Sequence, residues 1–546
     1  MRITNRIIRN NSLSNINTNK TYQDKLNTQM STQKKIDRPS DDPVIAIRAL
    51  RLRSDVTEVT QYYSKNIPDA ENWLSVTEGA LGNLASVVTD MQAQCTKGSS
   101  GELTSTDRKI ILENLKALRD EVYATGDADY AGRYIFTGYR TDVSLSFGKD
   151  TTLKYTLTEQ KNSSYIDDMK FVKTTDATLG DKDLFDINET NYTTYIDSSD
   201  PSNVKEFTEQ DIEAMEYHRI RLDYVDIDGD TMPVIGYNLV KDASGKIDAG
   251  ETIPGATYNV YSVMNSYDLD GGKSAYELIN EDTYDNGVIL VRDTGELLLG
   301  KNVYAALQGV KDNAGTPDVN EGEIRITYNK SNWKKSDLRP EHYYACTTNP
   351  GGPDKIEYNQ DYLNSITGST QVIEYDVGYN QTIRVNSTAD ECFKHGVGRE
   401  VDDLINALDD TIKMEEKVAK LKAMYDEKKG TAEEDRVKEL YDAANKAYSL
   451  LKDSTQKLFE RGITRMQGYL DETNLAVTNN GTRSKKLDLI ETRMQSQKTT
   501  FETLKSENED IDIAEATIEL SAAQVVYQAS LMSSAKVMKS TLLDFI

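Results

Sequence analysis

Apolar positions recur at spacings of three, four and seven near both ends of this chain and give way to alternation in its middle. Val56, Val59, Tyr63, Ile67, Ala70, Leu74, Leu81, Leu84, Val88 and Met91 form a stripe narrow enough for a coiled-coil seam. A further helix is predicted from about Thr104 to Ala124, with Ile111, Leu115, Leu118 and Val122 on one face. Helical spacing returns near Glu400, breaks at KKGT, and runs again from Ala432 to Ala476. A last block starts near Arg483 and resumes after SENEDID with Ile518, Ala522, Val525, Ala529, Met532, Ala535 and Leu542. At the rise of an α-helix, about sixty residues from 487 to 546 would reach ~90 Å. No single globule covers such a stripe, so its seam needs other long helices.

Proline sharpens the division, because it costs ~3 kcal/mol inside a helix. Seven of the ten prolines fall between Pro201 and Pro353, and none follows. Near the start, Pro39 and Pro43 bracket the turn KKIDRPSDDP, where Asp42 can cap a helix whose first residue is Pro43. Pro68 is expected to kink that helix or split it in two. Residues 132 to 141, GRYIFTGYRT, change the period; glycines flanking aromatic and β-branched residues favour a short hairpin. From 141 to about 395, runs such as VILVRD and EIRITYN alternate with turn clusters such as DIDGDT, DLDGG and DNAGTPD. The expected fold is therefore α+β: a long helical coiled-coil bundle formed by both chain termini, with an inserted β-rich middle of one or two domains.

The extreme N-terminus carries Ile3, Ile7, Ile8, Leu13 and Ile16 in a setting rich in asparagine and threonine, a weak helix former. This stripe complements the C-terminal one, and this weakly helical end is expected to be frayed in the monomer and to order only on assembly.

Acidic residues number 90 and basic residues 64, a formal charge of -26 that repels phosphate backbones and anionic lipid. Nucleic-acid binding and membrane insertion are not expected, and no run of 18 apolar residues exists to span a bilayer. The basic N-terminus lacks the apolar stretch of a cleaved secretory signal, so export, if it occurs, is expected to remove no leader. Cys95, Cys346 and Cys392 are too few and scattered for a disulfide framework or zinc module, and read as inert thiols. Asp226, Asp228 and Asp230 resemble the start of a calcium loop, but the twelfth position is Tyr237, so a polar turn is the better reading. His218 and His342 sit beside carboxylates yet lack a nucleophile or phosphate-loop partner, and are expected at the surface. No cofactor, metal or catalytic residue is assigned.

The segments MRITNRII, KKIDRPSDDPVIAIRAL and ENWLSVTEGALGNL, with the C-terminal IAEATIELSAAQVVYQASLMSSAKVMKSTLLDFI, resemble the flagellin superfamily of bacterial axial proteins. Within it, GRYIFTGYRT, IEYDVGYNQTIRVN and STLLDFI are more similar to the hook-filament junction proteins than to flagellin itself. The resemblance covers about 140 residues at the start and 170 at the end. It singles out the turn Pro39, Ser40, Asp41, Asp42 and Pro43, and the hairpin residues Gly132, Arg133, Tyr134, Phe136 and Gly138.

What the resemblance implies is a non-enzymatic structural subunit joining hook to filament outside the cell. It would leave through the flagellar type III export channel uncleaved, with a chaperone on its C-terminal helix. Its partners would be copies of itself in a ring, the other hook-filament junction protein, and flagellin. The expected layout pairs 1–33 with 511–546 as an inner helical layer, 34–140 with 396–510 as a helical rod, and inserts 141–395 as β-rich surface. Assembly is expected to rest on Ile3, Ile7, Ile8, Leu13, Ile16, Ile518, Ala522, Val525, Ala529, Met532, Leu542 and Phe545. Alternatives are flagellin, the bulk filament subunit, and an enzyme carried in the middle.

Overall fold

A computed structural model describes residues 5–176, 182–192, 207–241, 246–310, 323–364 and 371–539. The chain divides into two compact units. One comprises Met1–Glu71, Glu374–Ile383 and Arg483–Ile546; the other comprises Asn72–Ile373 and Arg384–Thr482. DNAGTPD lies outside the described residues.

In the first unit, helix Asn5–Thr32 runs antiparallel to helix Ile513–Lys539. Helix Pro43–Gln61 starts as its sequence dictates: Asp42 accepts from the N–H groups of Val44 and Ile45 at 2.9 and 3.2 Å, with Pro43 first in the helix. Pro68 neither ends the helix nor divides it into separate rods. The five residues Tyr62–Asn66 form a π-helical turn, closed by the Ile67 N–H on the Tyr62 carbonyl, and helix Ile67–Gly98 follows at once. A widened turn accommodates a proline ring that would collide with the carbonyl four residues back. The hairpin of Glu374–Gly378 and Gln381–Arg384 binds this turn through Asn66, whose amide donates to the Asp376 carbonyl at 2.8 Å, and through Tyr375, whose hydroxyl donates to Asp69 at 2.5 Å.

Two C-terminal expectations change. No break separates Ala476 from Arg483: one helix spans Glu434–Glu509. Gly481 costs it about 1 kcal/mol, while the buried Asn480 amide donates to the Leu74 carbonyl at 2.9 Å. Conversely, the expected sixty-residue run from 487 is interrupted at Asp510–Asp512. Asp510 leaves the helix to bridge with Lys34, and Asp512 caps the next helix by accepting from Ala514 and Glu515 at 2.8 and 3.2 Å.

In the second unit, four helical segments pack together, and hydrogen bonds mark the seams: Gln92 to Gln467 at 3.0 Å, Arg108 to Glu415 at 2.7 Å, and Thr411 with Thr455 at 2.8 Å. They belong to helices Ile67–Gly98, Ser105–Gly126, His395–Lys428 and Glu434–Glu509. Thr104 and Asp107 form a capping box at the second of these. KKGT makes the expected break, with Gly430 at positive φ.

The two larger sheets of the β-rich middle share a core. A six-stranded antiparallel sheet has the order Ile356–Tyr358, Ala345–Thr348, Tyr155–Asn162, Glu323–Lys330, Val234–Lys241, Ile247–Ile253. A five-stranded sheet has the order Asn259–Met264, Gly287–Val291, Glu296–Leu299, Glu213–Arg221, Ile166–Lys173, with only the first pair parallel. Both sheets line a single core containing Leu157, Ile235, Ile324, Ile220, Val288 and Leu299. Ile289, Val291 and Leu298 point from the five-stranded sheet into a second cluster with Tyr217 and Tyr276. Apolar cover on both faces explains why VILV and ELLL are continuous apolar runs.

A network of buried charges fastens this domain to the helices. Arg219 and Arg221, on one strand, meet Asp403 of helix His395–Lys428; Arg219 also meets Glu296, and Arg221 meets Glu400 at 3.0 Å. Arg465 of the long helix pairs with Glu400 at 2.8 Å and with Asp167. Burial pushes Asp167 and Asp403 up, but the facing guanidinium groups, Arg219 foremost, hold both carboxyls below their ordinary range.

Candidate functional site: the terminal helices

Helix Ile513–Lys539 carries two heptad stripes. The first, Ala516, Leu520, Ala523, Tyr527, Ser530 and Ser534, is buried or half-buried and faces helix Asn5–Thr32. The facing stripe is Ile8, Ser12, Ile16, Asn19, Gln23, Leu26 and Met30, also at spacings of three and four. Small residues on one side allow close approach, and polar contacts set the register: Asn19 donates to Ser530 at 2.9 Å and Tyr22 to Glu519 at 3.2 Å. Leu26 is the most deeply buried residue of the N-terminal helix, at 2 % exposure.

The second stripe, Ile518, Ala522, Val525, Ala529 and Met532, is offset by two residues, about 200° around the helix. It is open: Ile518 and Met532 are each 71 % exposed and Val525 is 65 % exposed. Ile7 and Leu13 are exposed, whereas Ile8 and Ile16 are half-buried in the intrachain seam. Ile3, Leu542 and Phe545 lie outside the described residues. The structure thus divides the expected assembly residues into two sets. The covered C-terminal stripe was missed in sequence because the same three-four spacing occurs twice and only the more apolar copy stood out.

Below this helix pair, the chain is pinned where the N-terminal helix ends and the C-terminal helix begins. Lys34 bridges with Asp510; the Lys35 N–H donates to the Glu509 carbonyl at 2.7 Å, and the Ile511 N–H to the Gln33 carbonyl at 3.2 Å. Lys34 Nζ lies 2.5 Å from Asp510 and 3.4 Å from Glu509. Arg53 binds the buried Glu509 carboxylate with two prongs. Arg53 holds Glu509 below the usual carboxylate range, and Lys34 does the same for Asp510. None of these four was singled out from sequence; the acidic SENEDID beside a basic KKID was the available signal.

The family-motif turn has its own logic. Asp41 accepts from the N–H groups of Asp37 and Arg38 at 3.2 and 2.9 Å, closing the loop that presents Pro39 and Ser40, while Asp42 and Pro43 open the next helix. Those backbone donors, Arg38 first, lower the Asp41 carboxyl. In the second unit, strands Asp129–Tyr130 and Arg133–Tyr134 form the expected hairpin, with Ala131 and Gly132 at positive φ. The Arg133 guanidinium lies 4.9 Å from the Trp73 ring and 5.6 Å from that of Tyr130, which brings the hairpin onto ENWLSVTEGALGNL. Phe136 is buried edge-on to Phe393, and Gly138, also at positive φ, packs against Gln371.

The remaining candidates have structural partners. Asp226 pairs with Lys334 at 2.7 Å, and Asp228 accepts from the Ser331 hydroxyl at 2.7 Å. His342 is buried, contrary to the surface position expected of it. Its Nε2 lies 3.2 Å from the Ser144 carbonyl, and burial lowers its pKa to about 4. The tyrosines after it, Tyr343 and Tyr344, carry it into the interior. His218 is partly exposed, paired with Asp168 at 2.7 Å and stacked on Tyr304. All three cysteines are free and buried, and burial pushes the Cys95 thiol up to about 12. Among the described residues, no group of three or more His, Cys, Asp or Glu could hold a metal ion, and no helix is long and apolar enough to cross a membrane.

The sequence model for the bacterial flagellin N-terminal helical region matches residues 3–141. Flagellar hook-associated protein 3 of Salmonella typhimurium strain LT2 is 30% identical over 145 residues, 26% of this chain and 45% of that protein. Flagellar hook-associated protein 3 of Escherichia coli strain K12 is 31% identical over 121 residues, 22% of this chain and 38% of that protein. A flagellin of Clostridium tyrobutyricum is 28% identical over 122 residues, 22% of this chain and 32% of that protein. The chain spans less than half the length of these curated relatives. Over residues 3–141, this chain is similar to the bacterial flagellin N-terminal helical region.

Proposed function

We propose that this chain is a structural subunit of the bacterial flagellum, joining hook to filament and assembling through its terminal helices. The observation that carries the reading is the open stripe Ile518, Ala522, Val525, Ala529 and Met532 on a helix whose opposite stripe is already covered within the chain. Covering an apolar seam of this length against like helices is the usual way such surfaces leave water. In this reading, residues 1–33 and 511–546 form the inner layer, 34–140 and 396–510 the helical rod, and 141–395 the part presented to solvent. Neighbouring copies make a ring that meets the other junction protein on one side and flagellin on the other. Export runs through the flagellar type III channel to the outside of the cell, and a chaperone covers the C-terminal stripe on the way. The chain carries out no catalysis.

Removing Ala522 to Ile546 tests this. The truncated chain is expected to keep the folded second unit and to fail to complement a mutant lacking the protein, whose hooks shed unpolymerised flagellin. Normal incorporation of the truncated chain at the junction overturns the proposal. The likeness to a flagellin favours a second reading, bulk filament subunit; unaided growth of the purified chain into micrometre filaments decides for it.

A further inference from the structure

The inner side of the six-stranded sheet holds an amine and two carboxyls that assembly does not use. Glu159 and Lys161 stand two residues apart on strand Tyr155–Asn162 and so point to one face. Across the ladder they oppose Ile326 and Ile324, both fully buried. Glu159 is itself wholly buried and Lys161 is 5 % exposed. Asp223 follows strand Glu213–Arg221 of the other sheet. Lys161 Nζ lies 2.8 Å from Asp223 Oδ1 and 3.0 Å from Glu159 Oε2. The Tyr344 hydroxyl donates to the second Asp223 oxygen, Oδ2. Glu159 Oε1 accepts from the Tyr328 hydroxyl and, at 2.9 Å, from the Asp223 N–H. The Tyr165 ring flanks the ammonium at 5.1 Å, and Leu157, Leu222 and Tyr224 belong to the surrounding core.

We propose that Lys161 and Asp223 join in an isopeptide bond, with Glu159 carrying the proton, so that one amide ties the two sheets together. One cation and two anions in an apolar pocket leave a surplus negative charge that burial disfavours. Glu159 bears that strain: burial raises its carboxyl, while Lys161 and Asp223 stabilise each other's charge. With Glu159 protonated the triad is neutral. A proton passing from the Lys161 ammonium to the Asp223 carboxylate then leaves an amine and an acid without changing the net charge.

Lys161 Nζ attacks Asp223 Cγ, and the C–N bond forms. Negative charge develops on Oδ2, where the Tyr344 hydroxyl meets it. Glu159 takes a proton from nitrogen and gives one to the departing Oδ1; the C–Oδ1 bond breaks and one water leaves. The balance is amine plus acid to amide plus water, with no oxidant, reductant or added reactant. Fixed proximity supplies the drive that a free amine and acid lack, since well-oriented groups reach effective molarities of ~10⁵ M and more. The product replaces two buried charges by a neutral amide.

The test is the mass of the full-length chain after denaturation, with its N-terminus fixed by the N-terminal peptide. The expected mass is the sequence mass less one water. Proteolysis should give a branched peptide containing Lys161 and Asp223, uncut after Lys161. Glu159→Gln and Lys161→Arg should each show their own full sequence mass. A wild-type mass equal to the sequence, with the two peptides recovered separately, overturns the proposal. So does a one-water loss located on a single unbranched peptide. The wild-type measurement decides even where a variant does not fold.

Discussion

Arg53 and Glu509, 456 residues apart in sequence, form a two-pronged ion pair with Nε to Oε1 at 2.6 Å and Nη2 to Oε2 at 2.7 Å. The carboxylate is buried and the guanidinium is more than half exposed. The pair locks the first long helix after the Pro39–Pro43 turn onto the residue at which the C-terminal helix departs.

Arg53→Ala should therefore loosen the terminal helix pair without unfolding the first unit. Exposure of Arg53 limits the loss to about 1 kcal/mol, a few-fold in local opening. Amide exchange in residues 20–32 and 513–525 is the measurement, and a faster rate confined to them is the expected outcome. Because Glu509 is held below its ordinary range, the contribution is present above that range and fades as pH falls through it. The variant should show a shallower acid dependence there.

The two stripes of the C-terminal helix predict opposite phenotypes. Leu26→Ala opens the covered seam and should cost roughly 2–3 kcal/mol of helix-pair stability. Met532→Gln and Val525→Ala act on the open stripe and should change the isolated chain by less than about 0.5 kcal/mol, yet impair assembly at the junction. Denaturant melts of the purified chain beside complementation of a null strain separate the two effects. Equal destabilisation by all three would contradict the assignment of faces.

Removing one member of the buried network should be severe. Arg219→Met leaves Asp403 and Glu296 without their main partner, a change expected to cost about 3–5 kcal/mol. Urea unfolding of the second unit reports it. Arg461, at 3.9 Å or more from its carboxylates, should matter less when replaced by Met.

Acid should weaken the second unit earlier than its carboxylates alone would. Burial lowers both His342 and His395 to about 4, against about 6.5 in the unfolded chain. The unfolded chain therefore binds protons in this interval that the folded chain refuses. Stability is full above about pH 6.5 and falls progressively toward pH 4, by on the order of 3 kcal/mol per histidine. Urea midpoints measured across this window should drop with pH, and His342→Gln should reduce the drop. A flat profile from pH 7 to 4.5 would sink this account.

Long, repetitive signals were legible in the sequence. The helices around Leu115, Leu408 and Leu440, the Asp42–Pro43 helix start, the Gly132 hairpin and the strands of VILV and EIRITYN all follow from period and punctuation. What escaped depended on partners distant in the chain. Asp510 ends a helix because Lys34 and the backbone beside it compete for its pairing, and Gly481 stays helical beside Asn480, which reaches Leu74. Pro68 was recognised as a disturbance, but a π-helical turn as its remedy leaves no mark in composition. His342 looked like a surface residue because no catalytic motif accompanies it; the Ser144 carbonyl that it meets lies 198 residues away in the chain. On the terminal helices, the apolar pattern was visible and the choice between its two stripes was not, since spacing alone is the same for both.

The charges shared by Arg219, Arg221, Glu296, Glu400, Asp403 and Arg465 bear on how the chain can be cut and spliced. Excising the middle segment to leave a bare helical scaffold would strand Asp403 on a helix face shaped for guanidinium groups and leave Glu400 to Arg465 without Arg221, and moving the sheets to another protein would carry Arg219 and Arg221 into a new host unaccompanied. An epitope or enzyme grafted into this protein belongs instead in a loop such as the Tyr379–Asn380 tip, where Tyr379 is already turned to water and no buried ion loses its mate.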